Sequence, residues 1–303
     1  MITPPFLNIG DSVCIVSPSG FIDVSFIDNA IAVFHAWGLK VILGKNVLKN
    51  HGIFAGTDQE RIADFQWALD NPDVKAIICS RGGYGAIRIC DKLDYSNFIE
   101  NPKWIVGFSD ITIFHEKLQS LNISSIHASM PKNFPSASEE ALNSLKNCLF
   151  GFENEHKYSY DGILKDLSFS APLIGGNLSI IYSLLGSDIS YDFEGKILFI
   201  EDLNERFYHL DRMMHSLKYA GVFDKISVLL VGAMTDMTDG ATPYGMDAYQ
   251  IIKSCVEPYK IPCIFNFPVG HVSDNQAVQI GADYTISVKG KKISVKKLLH
   301  KLS

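Results

Sequence analysis

The first 130 residues alternate between short apolar runs and longer stretches with helical periodicity, and this alternation restricts the fold more than any other feature of the chain. Strand-like runs at Ser12–Val16, Lys40–Leu43, Val74–Cys79, Lys103–Phe108 and Ile123–His127 are each too short for a stable helix. Between the first two, Ile27, Ala30, Ile31, Phe34 and Trp37 recur at three- and four-residue steps, the spacing of one helix face. Thr57-Asp-Gln-Glu60 has the form of a capping box, opening a helix that carries Ile62, Phe65 and Leu69 and stops at Asn71-Pro72. Another helix is expected over Asp110–Leu121. Strands that are apolar throughout must be covered on both faces, which requires a parallel sheet flanked by helices, an α/β fold.

At 303 residues the chain is about twice the ~150 of a typical domain, so two domains are expected. Residues 1–150 form the first. Residues 151–170, containing the polar and aromatic GFENEHKYSYDG, read as a connection, and 171–303 as the second domain. The second half has a helix after Gly175-Gly176-Asn177, a strand Lys196–Ile200, a helix Tyr208–Ala220 ended by Gly221, and a strand Ile226–Val231. A helix near Met246–Val256 and strand-like runs at Cys263–Phe267, Ala277–Val288 and Ile293–Val295 follow.

With 27 Lys and Arg against 33 Asp and Glu, the net charge of −6 repels a polyanion, so nucleic acid is not an expected partner. The basic cluster Lys289–Lys297 lies on an alternating pattern and reads as a solvated hairpin edge. Six cysteines, Cys14, Cys79, Cys90, Cys148, Cys255 and Cys263, are scattered without a C-x-x-C pair, so neither a disulfide scaffold nor a zinc site is expected, and a reducing compartment fits. The N-terminus lacks the basic and apolar segments of a secretory signal, and no run approaches ~18 apolar residues. The expectation is a cytoplasmic protein without a membrane segment.

Three segments carry the candidate chemistry. In Trp104-Ile-Val-Gly-Phe-Ser109-Asp110 an apolar strand runs directly into a helix, so Ser109 stands on a tight turn whose backbone amides point where an oxyanion would form. The turn departs from G-x-S-x-G, because Ile111 replaces the last glycine; a simple N-cap is the alternative role for Ser109. Ser80-Arg81-Gly82-Gly83-Tyr84-Gly85 also follows a strand and has neither the Lys-Ser/Thr of a P-loop nor the G-x-G-x-x-G pattern. An amide near Gly83 is a candidate second oxyanion donor. A serine nucleophile needs a base, and the base needs a carboxylate to orient it. Glu201 and Asp202 directly follow an apolar strand and Glu205 opens the next helix; Glu201 is preferred. For the base, His271 lies in a turn made sharp by Pro268 and Gly270, His127 at a strand end is its rival, and His115 is expected to point away.

The blocks GDSVCIVSPSG, SRGGYGAIRI, WIVGFSDIT, GGNLSII, ILFIEDLNERFYHLDRMM and FPVGHVSDNQAVQIGADYTI, in this order over nearly the whole chain, resemble the LD-carboxypeptidases, serine peptidases that include murein tetrapeptide carboxypeptidases and microcin C immunity peptidases. The resemblance implies Ser109 as nucleophile, Glu201 as acid with Glu205 in the same block, His271 as base, and the backbone amides of Gly83 and Asp110 as oxyanion donors. It further implies an N-terminal flavodoxin-like domain, a C-terminal domain of swivelling β/β/α type, a homodimer, and no metal or cofactor. The implied reaction releases terminal D-alanine from the L-centre of a diamino acid in a murein tetrapeptide, with Arg81 as a candidate clamp for the terminal carboxylate. Three alternatives stay open. One is action on a peptidyl or aminoacyl nucleotide, for which Tyr84 and Trp104 are the aromatic candidates. The others are an α/β-hydrolase with one continuous sheet and a non-catalytic two-domain binder.

Overall fold

The computed structural model describes residues 1–160, 162 and 165–298. The chain divides into two compact units, Met1–Phe152 with Ser273–Gln279, and Glu153–Val272 with Ile280–Ser303.

In the first unit, β1 (Ser12–Val16), α1 (Val24–Ala36), β2 (Lys40–Leu43), α2 (Asp58–Asp70), β3 (Val74–Cys79), α3 (Ser96–Glu100), β4 (Trp104–Gly107), α4 (Thr112–Ser120), β5 (Ser125–His127) and α5 (Glu139–Phe150) follow one another. The five strands pair in parallel in the order β5-β4-β3-β1-β2. This is the flavodoxin-like arrangement, in which the chain reverses its direction of growth between β1 and β3. The central strands are apolar because helices cover both faces: Val13, Ile15, Ile77, Ile78, Ile105 and Val106 are fully buried. The expected helix starts are visible as chemistry. Thr57 accepts from the Glu60 amide while Glu60 accepts from the Thr57 amide, closing the capping box on α2, and Ser138 caps α5. Trp104 is wholly buried, with Nε1 donating to Pro5 O at 2.9 Å.

The second unit contains β6 (Glu155–Ser159), β7 (Leu167–Asn177), α6 (Leu178–Leu184), β8 (Ile197–Leu203), α7 (Phe207–Tyr219), α8 (Val222–Lys225), β9 (Val228–Thr235), α9 (Ala248–Val256) and β10 (Cys263–Ile264). The chain then forms β11 (Val278–Ile280), which joins the first sheet beside β5, and β12 (Asp283–Lys289) and β13 (Lys292–Lys297). The second sheet has the order β10-β9-β8-β7-β12-β13-β6. Strands β7 to β10 are parallel, whereas β7, β12, β13 and β6 pair antiparallel. The long β7 serves both halves: Leu167–Pro172 pairs with β12 and Leu173–Asn177 with β8.

Two of the expected domain limits and one expected strand differ from the structure. Segment 151–170 is not a connection, because it supplies β6 and the start of β7, whose alternation is too short and polar to read. The expected strand Ala277–Val288 is two strands in different sheets, broken at Gly281 (φ 83°). Residues 273–279 belong with the first unit rather than the second. Of the expected segments, residues 161, 163, 164 and 299–303 lie outside the described residues. The basic hairpin is present as β12–β13, but β6 pairs with β13 and takes the edge position. The two separate sheets also remove the single continuous sheet on which the α/β-hydrolase alternative depended. No helix among the described residues is long and apolar enough to cross a membrane.

Candidate active site

In the first unit, β4 leads the chain into a sharp turn. Phe108 is extended, Ser109 takes φ 63°, and one 3-10 turn over Ser109–Ile111 leads into α4. The left-handed region costs a non-glycine residue about 1–2 kcal/mol, and such strain concentrates where a side chain must be aimed. It leaves Ser109 half-buried at the carboxyl end of β4. The loop after β3 presses against it. A Cβ on Gly82 would stand 3.1 Å from Ser109 Cβ and 3.2 Å from Oγ, so any side chain there would press on the serine turn.

Gly83 is exposed in this loop with φ 108°. Arg81 donates from Nη1 to Phe21 O at 2.9 Å, and its Nη2 edge lies 3.5 Å from where a Gly83 Cβ would be. Lys132, whose amide donates to Ser80 O, is held below the usual lysine range by burial and by the Arg81 charge. Cationic character therefore gathers at the loop beside Ser109.

The other two expected residues lie in the second unit, at the carboxyl ends of its parallel strands. β8 and β9 stay in register to Ile200–Val231 and then slip, so that Asp202 faces Met234. The bulge places Glu201 inside the unit with no exposure. The Gly270 backbone (φ 118°) packs directly on it: a Cβ there would lie 3.0 Å from Glu201 Cβ and 3.1 Å from Oε2. The next residue, His271, places Nδ1 2.7 Å from Glu201 Oε2. A carboxylate only accepts, so Nδ1 carries the hydrogen and Nε2 keeps its lone pair. Burial pulls the His271 imidazole down, but the Glu201 carboxylate and its hydrogen bond outweigh this and raise it above the ordinary histidine range. Glu201 Oε1 is buried with no hydrogen-bond partner among the described residues, which leaves the imidazole as the group that answers this carboxylate.

Glu205 is placed differently. It accepts from His209 Nδ1 at 2.5 Å, an i,i+4 pair at the start of α7. The structure therefore brings Glu201, and not Glu205, to His271. The rival histidines are interior. His115 donates from Nε2 to Gly107 O at 2.9 Å and meets Ser125 Oγ at 2.8 Å, and burial pushes it down to about 4. His127 is fully buried, edge-on to Phe108. Of the two aromatic candidates, Trp104 is core while Tyr84 is half exposed. Among the described residues no three His, Cys, Asp or Glu side chains cluster as metal ligands.

In sequence Asp202 shows only as the second of two acids after a strand, and Arg61 was not singled out at all. Asp202, beside Glu201, accepts from Asn177 Nδ2 at 2.9 Å, from the Ser179 amide at 2.9 Å and from the Leu203 amide at 2.8 Å. Burial, then the Glu201 charge, pushes it up to about 7. Arg61, 2% exposed on α2, donates to Gly85 O and Pro18 O and pairs with Asp58. The signal for Arg61 was available: it falls on the same helix stripe as Phe65, Ala68 and Leu69, where an arginine has no solvent to face.

Comparison with known proteins agrees with this architecture. The family described as LD-carboxypeptidase N-terminal domain matches residues 13–128, and the LD-carboxypeptidase C-terminal domain matches residues 170–286. A probable murein peptide carboxypeptidase of Bacillus subtilis is 32% identical over 286 residues, covering 92% of this chain and 89% of the relative. The murein tetrapeptide carboxypeptidase of Pseudomonas aeruginosa is 26% identical over 281 residues, covering 89% of this chain and 91% of its own length. The crystal structure of muramoyltetrapeptide carboxypeptidase from Oxalobacter formigenes superposes with a TM-score of 0.86 at 28% identity, covering 95% of this chain and all of that one.

Proposed function

Because the chain belongs to the LD-carboxypeptidase family of serine-type hydrolases, we propose that it cleaves the amide between the L-centre of a diamino acid and the terminal D-alanine of a murein tetrapeptide, with Ser109, His271 and Glu201 as its triad. The observation that carries this reading is the 2.7 Å contact of His271 Nδ1 with the fully buried Glu201, which leaves Nε2 as a base. The strained serine turn of the first unit supplies the matching nucleophile.

His271 Nε2 takes the Ser109 proton as Oγ attacks the carbonyl carbon, and the developing oxyanion is met by the amides of Gly83 and Asp110. Collapse of the tetrahedral intermediate breaks the C–N bond. The D-alanine nitrogen leaves with the proton from His271, and an acyl-enzyme remains on Ser109. Water, deprotonated by the same nitrogen, then releases the tripeptide carboxylate and restores the serine. Glu201 orients the imidazole and balances its charge in both steps. Arg81, beside Gly83, pairs with the terminal carboxylate of the substrate. Cysteines that stay as thiols rather than disulfides, of which Cys14 and Cys263 are pushed up to about 12 by burial, are compatible with a cytoplasmic recycling role. The family resemblance also implies a homodimer, which light scattering measures directly.

Mass spectrometry of a tetrapeptide muropeptide tests the reading. Wild-type protein is expected to remove one alanine, Ser109→Ala to remove none, and Arg81→Ala to raise KM by about tenfold or more. If wild-type releases no D-alanine and Ser109→Ala binds the muropeptide as wild-type does, the protein is a binder and the reading fails.

A further inference from the structure

We propose that the Asp110 side chain is a positioning residue that clamps both ends of the Gly82–Gly85 loop to the serine turn, and so sets where the Gly83 amide stands. The inference rests on the reading of Ser109 as nucleophile. It adds a role for a buried acid that the reaction, as written above, uses only through its backbone.

Asp110 is 2% exposed, yet its side chain faces the loops after β1 and β3. Oδ2 accepts from the Ala86 amide at 2.9 Å, the first amide beyond the loop. The same oxygen accepts from Ser19 Oγ at 2.6 Å. Ser19 precedes Gly20, whose amide donates to Gly82 O at 3.2 Å, at the loop's other end. Asp110 thus holds one end directly and the other through Ser19-Gly20. Arg61 adds a third tie, donating to Gly85 O at 2.9 Å. Between these anchors lie Gly83 at φ 108° and Gly85 at φ 136°. Those glycines give the loop no rigidity of their own, so its position must come from its ties. One residue then governs both proposed oxyanion donors, through its own amide and through the loop that carries the other.

Both donors end on Oδ2, and Oδ1 has no partner among the described residues, so this bonding pattern does not require the ionised form. Burial, the larger effect, pushes the carboxyl up against the hydrogen bonds and Arg61 that favour the anion. An asparagine keeps an oxygen acceptor at the same place; an alanine keeps none.

The test is steady-state release of D-alanine from a murein tetrapeptide, with thermal unfolding of each variant as the folding control. For Asp110→Ala we expect kcat to fall about 100-fold or more with KM within about threefold, the scale of losing one oxyanion donor. Asp110→Asn is expected to recover at least about tenfold of that loss, and Ser19→Ala to lower kcat about three- to tenfold. A folded Asp110→Ala with kcat within about threefold of wild-type, or with the loss confined to KM, overturns the clamp. Should Asp110→Ala fail to fold, Ser19→Ala decides, and unchanged kcat there overturns it. Ser109→Ala separates the two levels. Activity surviving in that variant removes the nucleophile reading, whereas activity lost there and kept in Asp110→Ala removes only the clamp.

Discussion

A carboxylate whose hydrogen-bonded answer is a single imidazole controls the charge of that imidazole as well as its orientation. In Glu201 and His271 the carboxylate wins over burial, so the histidine holds its proton to a pH above its ordinary 6.5. For a base that must be neutral to act, the acid limb of kcat/KM then lies above that value. Glu201→Gln keeps an oxygen for Nδ1–H but removes the charge, leaving burial to dominate. The expected result is a plateau lowered by about 10³-fold together with an acid limb displaced to lower pH. A pH profile of kcat/KM measures both, and a limb that stays in place assigns the titration to a group other than His271, Asp202 among them. The expected triad residues could be named as candidates because each stands at or just beyond an apolar strand, where parallel sheets present their ligands, while the choice of His271 over His127 came from the family resemblance. Asp202 follows the same strand, but its partners, Asn177 and the Ser179 amide, come from a neighbouring strand and helix, so its structural role had no local signature. The choice between Glu201 and Glu205 was likewise a matter of which histidine each one meets.

Among the elements, α4 shows how a helix can carry the turn in front of it. His115 reaches back from its second turn to Gly107 O, the last carbonyl of β4, and so supports the strand from which Ser109 turns. Its imidazole titrates near 4 when folded and near 6.5 when unfolded. Between those values the unfolded chain binds more protons. The contribution is therefore complete above about 6.5 and declines as pH falls toward 4, by about 3 kcal/mol over the window. His115→Gln is expected to lose about 2 kcal/mol at pH 7.5, from packing and the Gly107 hydrogen bond, and to show a flatter stability curve below 6.5 than wild-type. Urea midpoints at pH 7.5, 5.5 and 4.5 measure the difference, and parallel curves would remove His115 as the titrating group. The strands of the first sheet were legible because burial on both faces leaves continuous apolar runs. β6 was not, since Glu155–Ser159 alternates burial with charge over five residues, and its partner β13 lies far along the chain. Local pattern holds no information about a pairing of that span.

At the scale of the whole molecule, the two units are interleaved in sequence, and this arrangement was hidden from a reading that looks for one boundary. The chain leaves the first unit after Phe152, returns for Ser273–Gln279, and leaves again at Ile280. Sequence offered one mark of the last step, Gly281, within a run whose apolar pattern continues on both sides. The returning segment is short but firmly held. The Ser138 amide donates to Ser273 O at 2.9 Å, Ser138 Oγ donates to Asp274 Oδ1 at 2.7 Å, and the Ala277 amide donates to Ser144 Oγ at 2.7 Å. Ala277 and Val278 are fully buried, and β11 takes the place beside β5. A fragment of residues 1–152 would lack these hydrogen bonds and leave β5 as an open edge. Burial of two small apolar side chains and loss of the hydrogen bonds set its deficit at about 3 kcal/mol. The same fragment carrying residues 273–279 on a flexible Gly-Ser linker should regain that stability and resist the edge-to-edge association expected of the bare fragment. Denaturant melts with sedimentation of both fragments give the answer. Equal stability would mean that the first unit is complete at Phe152 and that the returning strand only decorates its edge.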